Sequence, residues 1–391
     1  MWANVQAQNI YHMQKSSSAG QVGREIRILL IAITCFLFGC SDQKKRAPLL
    51  SSSADKIVNI QGDVLGSASI VNSNIVPVPL ENLASRIYFV SGHLVLSQKY
   101  GGYALQIFDI ESQSSTYKVP KGEGPGEFFS LYDLELHGNY VHLHGRMLQK
   151  VLTYEIDSLI SHSVGVAYNR EIRLCNQVNE IACLKNGVFW ATSYSSDPLK
   201  RFTLMDSIGD LAGYEVDYPN TELSGIDVIG IPEAYHAGLS KHPSKDLLVL
   251  SNKTCDLIEI IDAAKRKALV GIVGPINEPP RYISEIDEYG GHTLILLEDA
   301  TRDCYFSPMT TEDGFWVGYD GDFADPSEGV AHAYQSHVKY LMKFDYEGNL
   351  LDVYRLDVPV LGRMTLDPEN LILYALCDYE LDLHVRSFSL N

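Results

Sequence analysis

Short apolar runs separated by polar turns recur along most of this chain. Between residues 247 and 274, three runs rich in Val, Ile and Leu lie at 247–251, 256–262 and 268–274, with polar breaks of a few residues between them. Continuous apolar runs of that length are typical of strands covered on both faces, and short connections make neighbouring strands antiparallel. One such meander cannot bury both of its faces alone, so the pattern predicts several stacked copies.

Six copies of this unit are found, each with a tight polar turn before its strongest apolar run. Those runs begin at residues 94, 140, 188, 247, 315 and 371, with spacings of 46, 48, 59, 68 and 56 residues. The turns contain Gly, Asn or Asp, which supply the positive φ that two-residue hairpins need. A base period in the forties with later insertions is typical of four-stranded β-propeller blades.

A third apolar run follows in every copy, and most of these runs end in an acidic residue. The residues concerned are Asp109, Asp157, Asp206, Asp262 and Asp345. We interpret them as turn formers. The sixth copy reaches the C-terminus before its outer strand, and we expect residues 56–60 to supply that strand. The predicted fold class is all-β, a six-bladed β-propeller with four-stranded antiparallel blades, closed by the N-terminal strand joining the last blade.

The first 39 residues have the pattern of an export signal. Lys15, Arg24 and Arg27 precede an eleven-residue apolar run at 28–38, which is too short to span a bilayer comfortably. Cys40 follows directly, as in a bacterial lipoprotein signal, although a secretory signal with an incidental Cys remains the alternative. The predicted organisation is a signal peptide at 1–39, a tether at 40–55 and a propeller at 56–391. We expect a lipid-anchored protein of the cell envelope.

Charge and cysteine content exclude some classes of partner and site. The net charge is −18, and removal of residues 1–39 leaves 28 Lys and Arg against 48 Asp and Glu, a net charge near −20. Such a domain repels nucleic acid and anionic lipid, so we expect no nucleic-acid partner and membrane contact through the acyl chains alone. Cys175 and Cys183 are close enough in sequence for a disulfide, and buried apolar thiols are the alternative.

Five short segments carry a resemblance to a known family. They lie at residues 78–81, 121–128, 256–262, 341–348 and 354–357, and the most specific is Gly-x-Gly-Pro-Gly-Glu-Phe within 121–128. They resemble the TolB-like six-bladed β-propeller lipoproteins of the Bacteroidetes over about residues 55–391. The resemblance implies a lipid-anchored envelope propeller and no particular activity.

The Gly-rich segment 121–128 invites comparison with a phosphate-binding loop. A P-loop requires Gly-Lys followed by Ser or Thr at the start of a helix, and this segment lacks both the hydroxyl and the helix. Its Glu residues would also repel phosphate. We interpret it as a turn between the outer strand of the first blade and the inner strand of the second, since Gly permits tight torsions and Pro125 fixes one.

Two groups of residues have side chains suited to metals. His142 and His144 share one face of a strand near His137 and suit zinc, although no third ligand is evident and ordinary strand histidines are the alternative. The oxygen-rich segment at Asp320, Asp322, Asp325 and Glu328 suits calcium, but its spacing does not match an EF-hand, and a solvated acidic loop is the alternative. We therefore expect no bound cofactor, with calcium as the one weak candidate.

The central pore is the remaining candidate site. The residues predicted on or next to inner strands are Asp133, Glu180, His236, Asp303 and Arg363. One hypothesis is a non-enzymatic module that binds a protein, small-molecule or glycan partner, with Trp190 and Trp316 as a carbohydrate platform or as blade packing. The other is a pore-centred hydrolase that resembles calcium-dependent six-bladed lactonases. The chain contains no Gly-x-Ser-x-Gly, HExxH or Rossmann motif, so no catalytic residue is assigned.

Overall fold

A computed structural model describes ten segments of the chain, all within the compact unit that spans residues 49–391. The segments are 54–80, 84–161, 167–193, 199–219, 231–277, 282–286, 292–296, 302–321, 337–379 and 382–390. The predicted signal peptide, Cys40, most of the tether and the acidic residues Asp322, Asp325 and Glu328 lie outside the described residues.

Three short N-terminal strands precede the first blade: β1 (Lys56–Asn59), β2 (Ser69–Val71) and β3 (Ser73–Val76). Blades one to three follow as β4 (Ala84–Val90), β5 (His93–Gln98), β6 (Tyr103–Asp109) and β7 (Ser114–Pro120); β8 (Asp133–His137), β9 (Tyr140–Gly145), β10 (Lys150–Glu155) and β11 (Arg170–Arg173); and β12 (Val178–Cys183), β13 (Phe189–Ser193), β14 (Lys200–Met205) and β15 (Leu211–Asp217).

The later blades are built in the same way, with the first strand of each innermost. Blade four consists of β16 (Ala237–Lys241), β17 (Leu247–Asn252), β18 (Leu257–Asp262) and β19 (Lys267–Val273), and a separate hairpin follows as β20 (Tyr282–Ile286) and β21 (His292–Leu296). Blade five contains β22 (Tyr305–Thr310), β23 (Phe315–Tyr319), β24 (His337–Phe344) and β25 (Leu350–Leu361). Blade six contains β26 (Met364–Asp367), β27 (Ile372–Tyr379) and β28 (Asp382–Ser389). The predicted six-bladed architecture is confirmed.

Ring closure uses an N-terminal strand, as predicted, but a different one. Strand β3 pairs antiparallel with β28 and becomes the outer strand of blade six. The prediction that residues 56–60 do this is wrong, because β1 instead pairs in parallel with β19 of blade four. Strand β2 pairs in parallel with β25 of blade five. The N-terminal segment therefore runs along the outer edges of blades four and five before it closes the ring at blade six.

The apolar runs become strands that are buried on both faces between neighbouring blades. Every residue of β18 is buried, and Ile258 and Ile260 pack in one cluster with Phe315 and Phe344 of blade five. Burying each large apolar side chain contributes roughly 1.5–3 kcal/mol, so these contacts between blades dominate the stability of the ring.

Helices are few and short in the described part of the chain. The α-helices are α1 (Ile156–Ile160), after β10, and α2 (Ile231–Ala234), before β16. Neither these nor any other helix in the described segments has the length and apolarity needed to cross a membrane.

Candidate functional site

The inner strands of the six blades surround a central channel with a cavity of about 860 Å³. Each inner strand, such as β8 or β12, pairs with the second strand of its blade on one side, and none of the described strands pairs with it on the other side. The backbone N–H and C=O groups on that free side must find other partners, because an unpaired buried group is costly.

Asp133 and Glu180 supply two of those partners. The Oδ2 atom of Asp133, in blade two, accepts a hydrogen bond from the backbone N–H of Ile181 in blade three, at 2.8 Å. In the same way, Oε2 of Glu180 in blade three accepts from the backbone N–H of Leu239 in blade four, at 2.8 Å. These two carboxylates therefore hold adjacent blades together at the channel wall.

Hydroxyl side chains join the remaining blades. Ser307 donates to the carbonyl of Gly362 at 2.9 Å, and Thr310 donates to the carbonyl of Lys241, which links blade five to both of its neighbours. Thr365 of blade six accepts from the N–H of Phe89 in blade one at 2.9 Å, and Ser97 donates to the carbonyl of Leu131 before blade two at 2.9 Å. Side chains thus connect every neighbouring pair of blades around the ring.

Positive side chains gather at the end of the channel where the inner strands begin. Arg86 lies on β4, Arg363 immediately precedes β26, and Lys253 lies in the connection between β17 and β18; all three line the cavity together with His236. The guanidinium of Arg86 pairs with Glu180 across the channel at 3.6 Å and lies 4.2 Å from the ring centre of Tyr132.

Burial and neighbouring positive charges lower the pKa values of three basic groups at this end of the channel. The charge of Arg86, followed by burial, lowers the pKa of Arg363 to about 10. Burial, together with Lys253 and Arg363, lowers the pKa of His236 to about 3, so its imidazole is neutral at physiological pH. Burial also lowers the pKa of Lys253, with Asp303 opposing that change and Arg363 adding to it.

A second charged pair lies further along the channel wall. The Nζ atom of Lys241 is 3.1 Å from Oε1 of Glu135 and donates to the carbonyl of Cys183 at 2.9 Å. It also lies 3.3 Å from Nδ1 of His137. Burial raises the pKa of Glu135 to about 7, although Lys241 acts in the opposite direction.

Four of the five residues predicted at the pore line the cavity: Asp133, Glu180, His236 and Arg363. Asp303 lies two residues before β22 and influences the titration of Lys253. Sequence reasoning missed Arg86, Glu135, Lys241 and Lys253. The first three occupy inner strands, and a systematic search of those strands for charge would have found them.

The histidines suggested as zinc ligands have other surroundings. His142 lies 2.9 Å from the hydroxyl of Thr153 through Nδ1, and its ring centre is 6.0 Å from that of His137. His144 is fully buried, and burial lowers its pKa to about 3. Asp320 pairs with Lys339 at 3.3 Å. Among the side chains that the structure describes, no three His, Cys, Asp or Glu are grouped to hold a metal.

The Gly-rich segment forms the predicted turn between β7 and β8. The side chain of Glu127 accepts from the backbone N–H of Gly124 at 3.0 Å, and the buried Lys150 donates to the carbonyls of both residues, at 2.8 and 3.1 Å. Gly126 has φ of +73°, and a Cβ there would lie 2.6 Å from the ring of Tyr168. Glycine at position 126 thus allows both the positive φ and the close packing of the turn against Tyr168.

The cysteine pair and the two tryptophans singled out in the sequence have other surroundings than a disulfide or a carbohydrate platform would require. Cys175 is exposed and Cys183 is buried, and both are free thiols, so this pair forms no disulfide in the structure. Trp190 and Trp316 are each 2% exposed and pack inside the blades, where neither offers a face to a carbohydrate.

Comparison with solved structures agrees with this architecture. The chain is a six-bladed β-propeller. A protein described as exported, from Bacteroides fragilis, matches it with a TM-score of 0.52 and 15% identity, over 85% of this chain and 98% of that one. A member of the DUF4221 family from Bacteroides vulgatus matches with a TM-score of 0.52 and 10% identity, over 82% of this chain and 96% of that one. No family model and no curated protein matches the sequence.

Proposed function

We propose that the protein is a TolB-like, lipid-anchored propeller of the cell envelope that binds a small-molecule ligand in its central channel without transforming it. The observation that carries this proposal is the cavity of about 860 Å³ enclosed by all six inner strands. Its size lies within the range of about 300–1,000 Å³ typical of ligand sites. Apolar side chains and a few convergent charged groups share its wall, a combination that favours binding of a specific ligand.

Binding is favoured over catalysis by the way the channel carboxylates are used. Asp133 and Glu180 accept backbone hydrogen bonds from the next blade, and Glu135 is paired with Lys241. A general base or a calcium ligand needs lone pairs that point to substrate or ion. These three carboxylates direct lone pairs into the wall, and their replacement would weaken the ring.

Support for the envelope location comes from the N-terminal sequence pattern and from the export described for the Bacteroides fragilis protein. Its test is Cys40→Ala, which removes the atom that would carry the lipid. We expect the variant to move from the membrane fraction to the soluble envelope fraction on cell fractionation. A variant that stays with the membrane would refute lipid attachment at this residue.

Ligand binding is tested by screening neutral, cationic and anionic small molecules by thermal shift, followed by calorimetry, with wild type and Leu136→Trp. Leu136 lines the cavity and is 44% exposed, so a larger side chain there narrows the channel without entering the core. We expect at least one compound to bind wild type and to bind the variant about tenfold more weakly or worse. Compounds that bind both proteins equally, or no binding at all, would refute a channel site.

A further inference from the structure

The cationic end of the channel holds more positive than negative charge, in a protein whose overall charge is −18. Among the described residues, its cations are Arg86, Arg146, Lys253 and Arg363, and its carboxylates are Asp133, Glu180 and Asp303. Burial and the neighbouring Glu180 raise the pKa of Asp133, which reduces its negative charge further. This local charge is therefore opposite in sign to that of the molecule.

Two of these cations, Arg86 and Arg363, line the same cavity, and the charge of Arg86 acts on Arg363. Glu180 lies beside Arg86 at 3.6 Å, whereas the guanidinium of Arg363 forms no hydrogen bond or ion pair with any residue that the structure describes. The positive charge of Arg86 is the first cause of the decrease in the pKa of Arg363, and burial is the second. Glu180 is the carboxylate that acts on both guanidiniums, so one negative charge faces two positive charges and the pair is only partly neutralised in the empty channel.

Arg363 is accessible to solvent, although it stands within the ring. The water that reaches it is the water of the channel, so a solute in the cavity can reach it as well. Lys253, which also lines the cavity, has its ammonium 5.4 Å from the ring centre of Phe306 and no ion pair with a carboxylate within 4 Å in the described segments. Both side chains thus have donors available to a ligand.

We propose that this end of the channel is an oxyanion site, in which Arg363 and Lys253, with Arg86 beside them, bind the carboxylate or phosphate of a small organic molecule. The inference rests on the proposed function that the channel binds a ligand, and it adds the chemical class. A guanidinium presents two parallel donors that match the two oxygens of a carboxylate or phosphate, and an ammonium adds a point charge. An anion there also relieves the repulsion between Arg86 and Arg363.

The rest of the cavity defines the body of that ligand. Beyond the charged end, the wall includes the apolar side chains Ile87, Phe89, Leu134, Phe306, Met309 and Met364. These surfaces favour an organic body over a bare inorganic ion, because apolar contact contributes about 25 cal/mol per Å² of area removed from water. The site is therefore expected to prefer an organic anion to phosphate alone.

Calorimetry with matched probes tests the charge requirement. Benzoate is compared with benzyl alcohol, and glucuronate with glucose, alongside inorganic phosphate, for wild type, Arg363→Gln and Arg363→Lys. Arg355→Gln is the control, because Arg355 is an exposed arginine on β25 outside the cavity. We expect at least one anion to bind about tenfold or more tightly than its neutral partner. Arg363→Gln should lose that preference, Arg363→Lys should keep part of it, and Arg355→Gln should leave it unchanged.

Thermal melting supplies a second readout that does not depend on the choice of organic probe. Wild type should melt at a higher temperature in sodium phosphate than in sodium chloride of equal ionic strength, since a ligand that binds the folded state stabilises it. Arg363→Gln should lack this difference. Without phosphate its melting temperature should equal or exceed that of wild type, because a repulsive charge has been removed.

The two proposals fail in different ways. If neutral or cationic compounds bind in a manner that Leu136→Trp blocks, but Arg363→Gln binds every anion as wild type does, the oxyanion site is refuted and the binding channel stands. If no compound of any charge binds and phosphate gives no thermal shift, both are refuted. An anion preference that Arg355→Gln abolishes equally would also refute the site.

Discussion

Single side chains in the channel wall satisfy the backbone of the neighbouring blade. Asp133 and Glu180 accept from main-chain N–H groups, while Ser307 and Thr310 donate to main-chain carbonyls. A charged residue in a pore is commonly interpreted as a functional group, and here two such residues hold the ring together. Their position followed from the strand pattern, but their role required knowledge of which backbone groups lie opposite.

The stability of the protein also depends on a buried ion pair between blades three and four. Arg201 and Glu259 are in contact, with side chains 1% and 2% exposed, and Arg201 also donates to Asn252 at 2.9 Å. Glu259→Ala leaves a buried guanidinium without its counterion, so we expect the free energy of unfolding to fall by about 3–5 kcal/mol. Urea denaturation measures this change.

The control for this prediction is Lys265→Ala, which removes a lysine that is 65% exposed and paired with Asp262 at 2.8 Å. That change should leave the free energy of unfolding nearly unchanged, because an ion pair with an exposed lysine is screened by solvent. The double variant Arg201→Met/Glu259→Leu should recover most of the loss, because no charge remains buried. A Glu259→Ala protein as stable as Lys265→Ala would contradict the prediction.

Glu135 makes stability depend on pH. Burial raises its pKa from 4.5 to about 7, so between these values the folded protein holds a proton that the unfolded chain has lost. Its contribution to stability is therefore complete below pH 4.5 and is lost as pH rises to about 7. Relative to Glu135→Gln, the free energy of unfolding of wild type should decrease by about 2–3 kcal/mol over this range.

Urea denaturation at several pH values measures that difference. Glu111→Gln, at an exposed turn position, is the control and should show the same pH dependence as wild type. A difference between wild type and Glu135→Gln that stays constant with pH would show that the pKa of Glu135 is the same in the folded and unfolded states.

At the level of elements, acidic residues act as turn formers after the third strands. Asp109, Asp206, Asp262 and Asp345 each accept hydrogen bonds from backbone N–H groups two to four residues ahead. Asp157 is the exception, because α1 replaces the turn in blade two. Turns of this kind can be predicted from the sequence, because the Asp side chain and the N–H groups that it binds are close neighbours in the chain.

The turn that contains Gly348 depends on packing as well as on torsion. Its φ is +85°, and a Cβ there would lie 2.7 Å from Val270 and 3.4 Å from Val58 of β1. Gly92 has φ of +78°, and no atom of the described residues lies within 4 Å of the position of a Cβ there. A comparison of the two glycines therefore separates the cost of the positive φ from the cost of crowding. We expect Gly92→Ala to destabilise by about 1 kcal/mol and Gly348→Ala by clearly more, about 2–4 kcal/mol. Equal losses in thermal or urea unfolding would show that crowding is unimportant.

For the whole molecule, stability depends on which N-terminal strand closes the ring. Deletion of residues 1–60 removes β1, whose partner β19 already belongs to a complete blade. Deletion of residues 1–76 removes β2 and β3 as well and leaves β28 as the unpaired outer edge of blade six. We expect the shorter deletion to melt in one cooperative transition as a monomer, and the longer one to aggregate or unfold.

Size-exclusion chromatography and thermal melting distinguish the two deletions. A longer deletion that remains monomeric and as stable as the shorter one would show that β3 does not close the ring. The reverse result, with the shorter deletion already aggregating, would show that β1 on blade four is also required for a stable monomer.

The chain's own pattern determined the class of fold, the number of blades, the hairpin turns and the positions of most inner strands, because each depends on residues that are close in sequence. The tertiary structure alone decided which N-terminal strand completes blade six, since β1 and β3 are equally good strands and differ in the edge that each reaches. It likewise decided that Asp133 and Glu180 bridge blades while Arg363 faces Arg86 in an open channel. Those relations join residues as far apart in the chain as Ser73 and Phe388, and they exist only when the ring is closed.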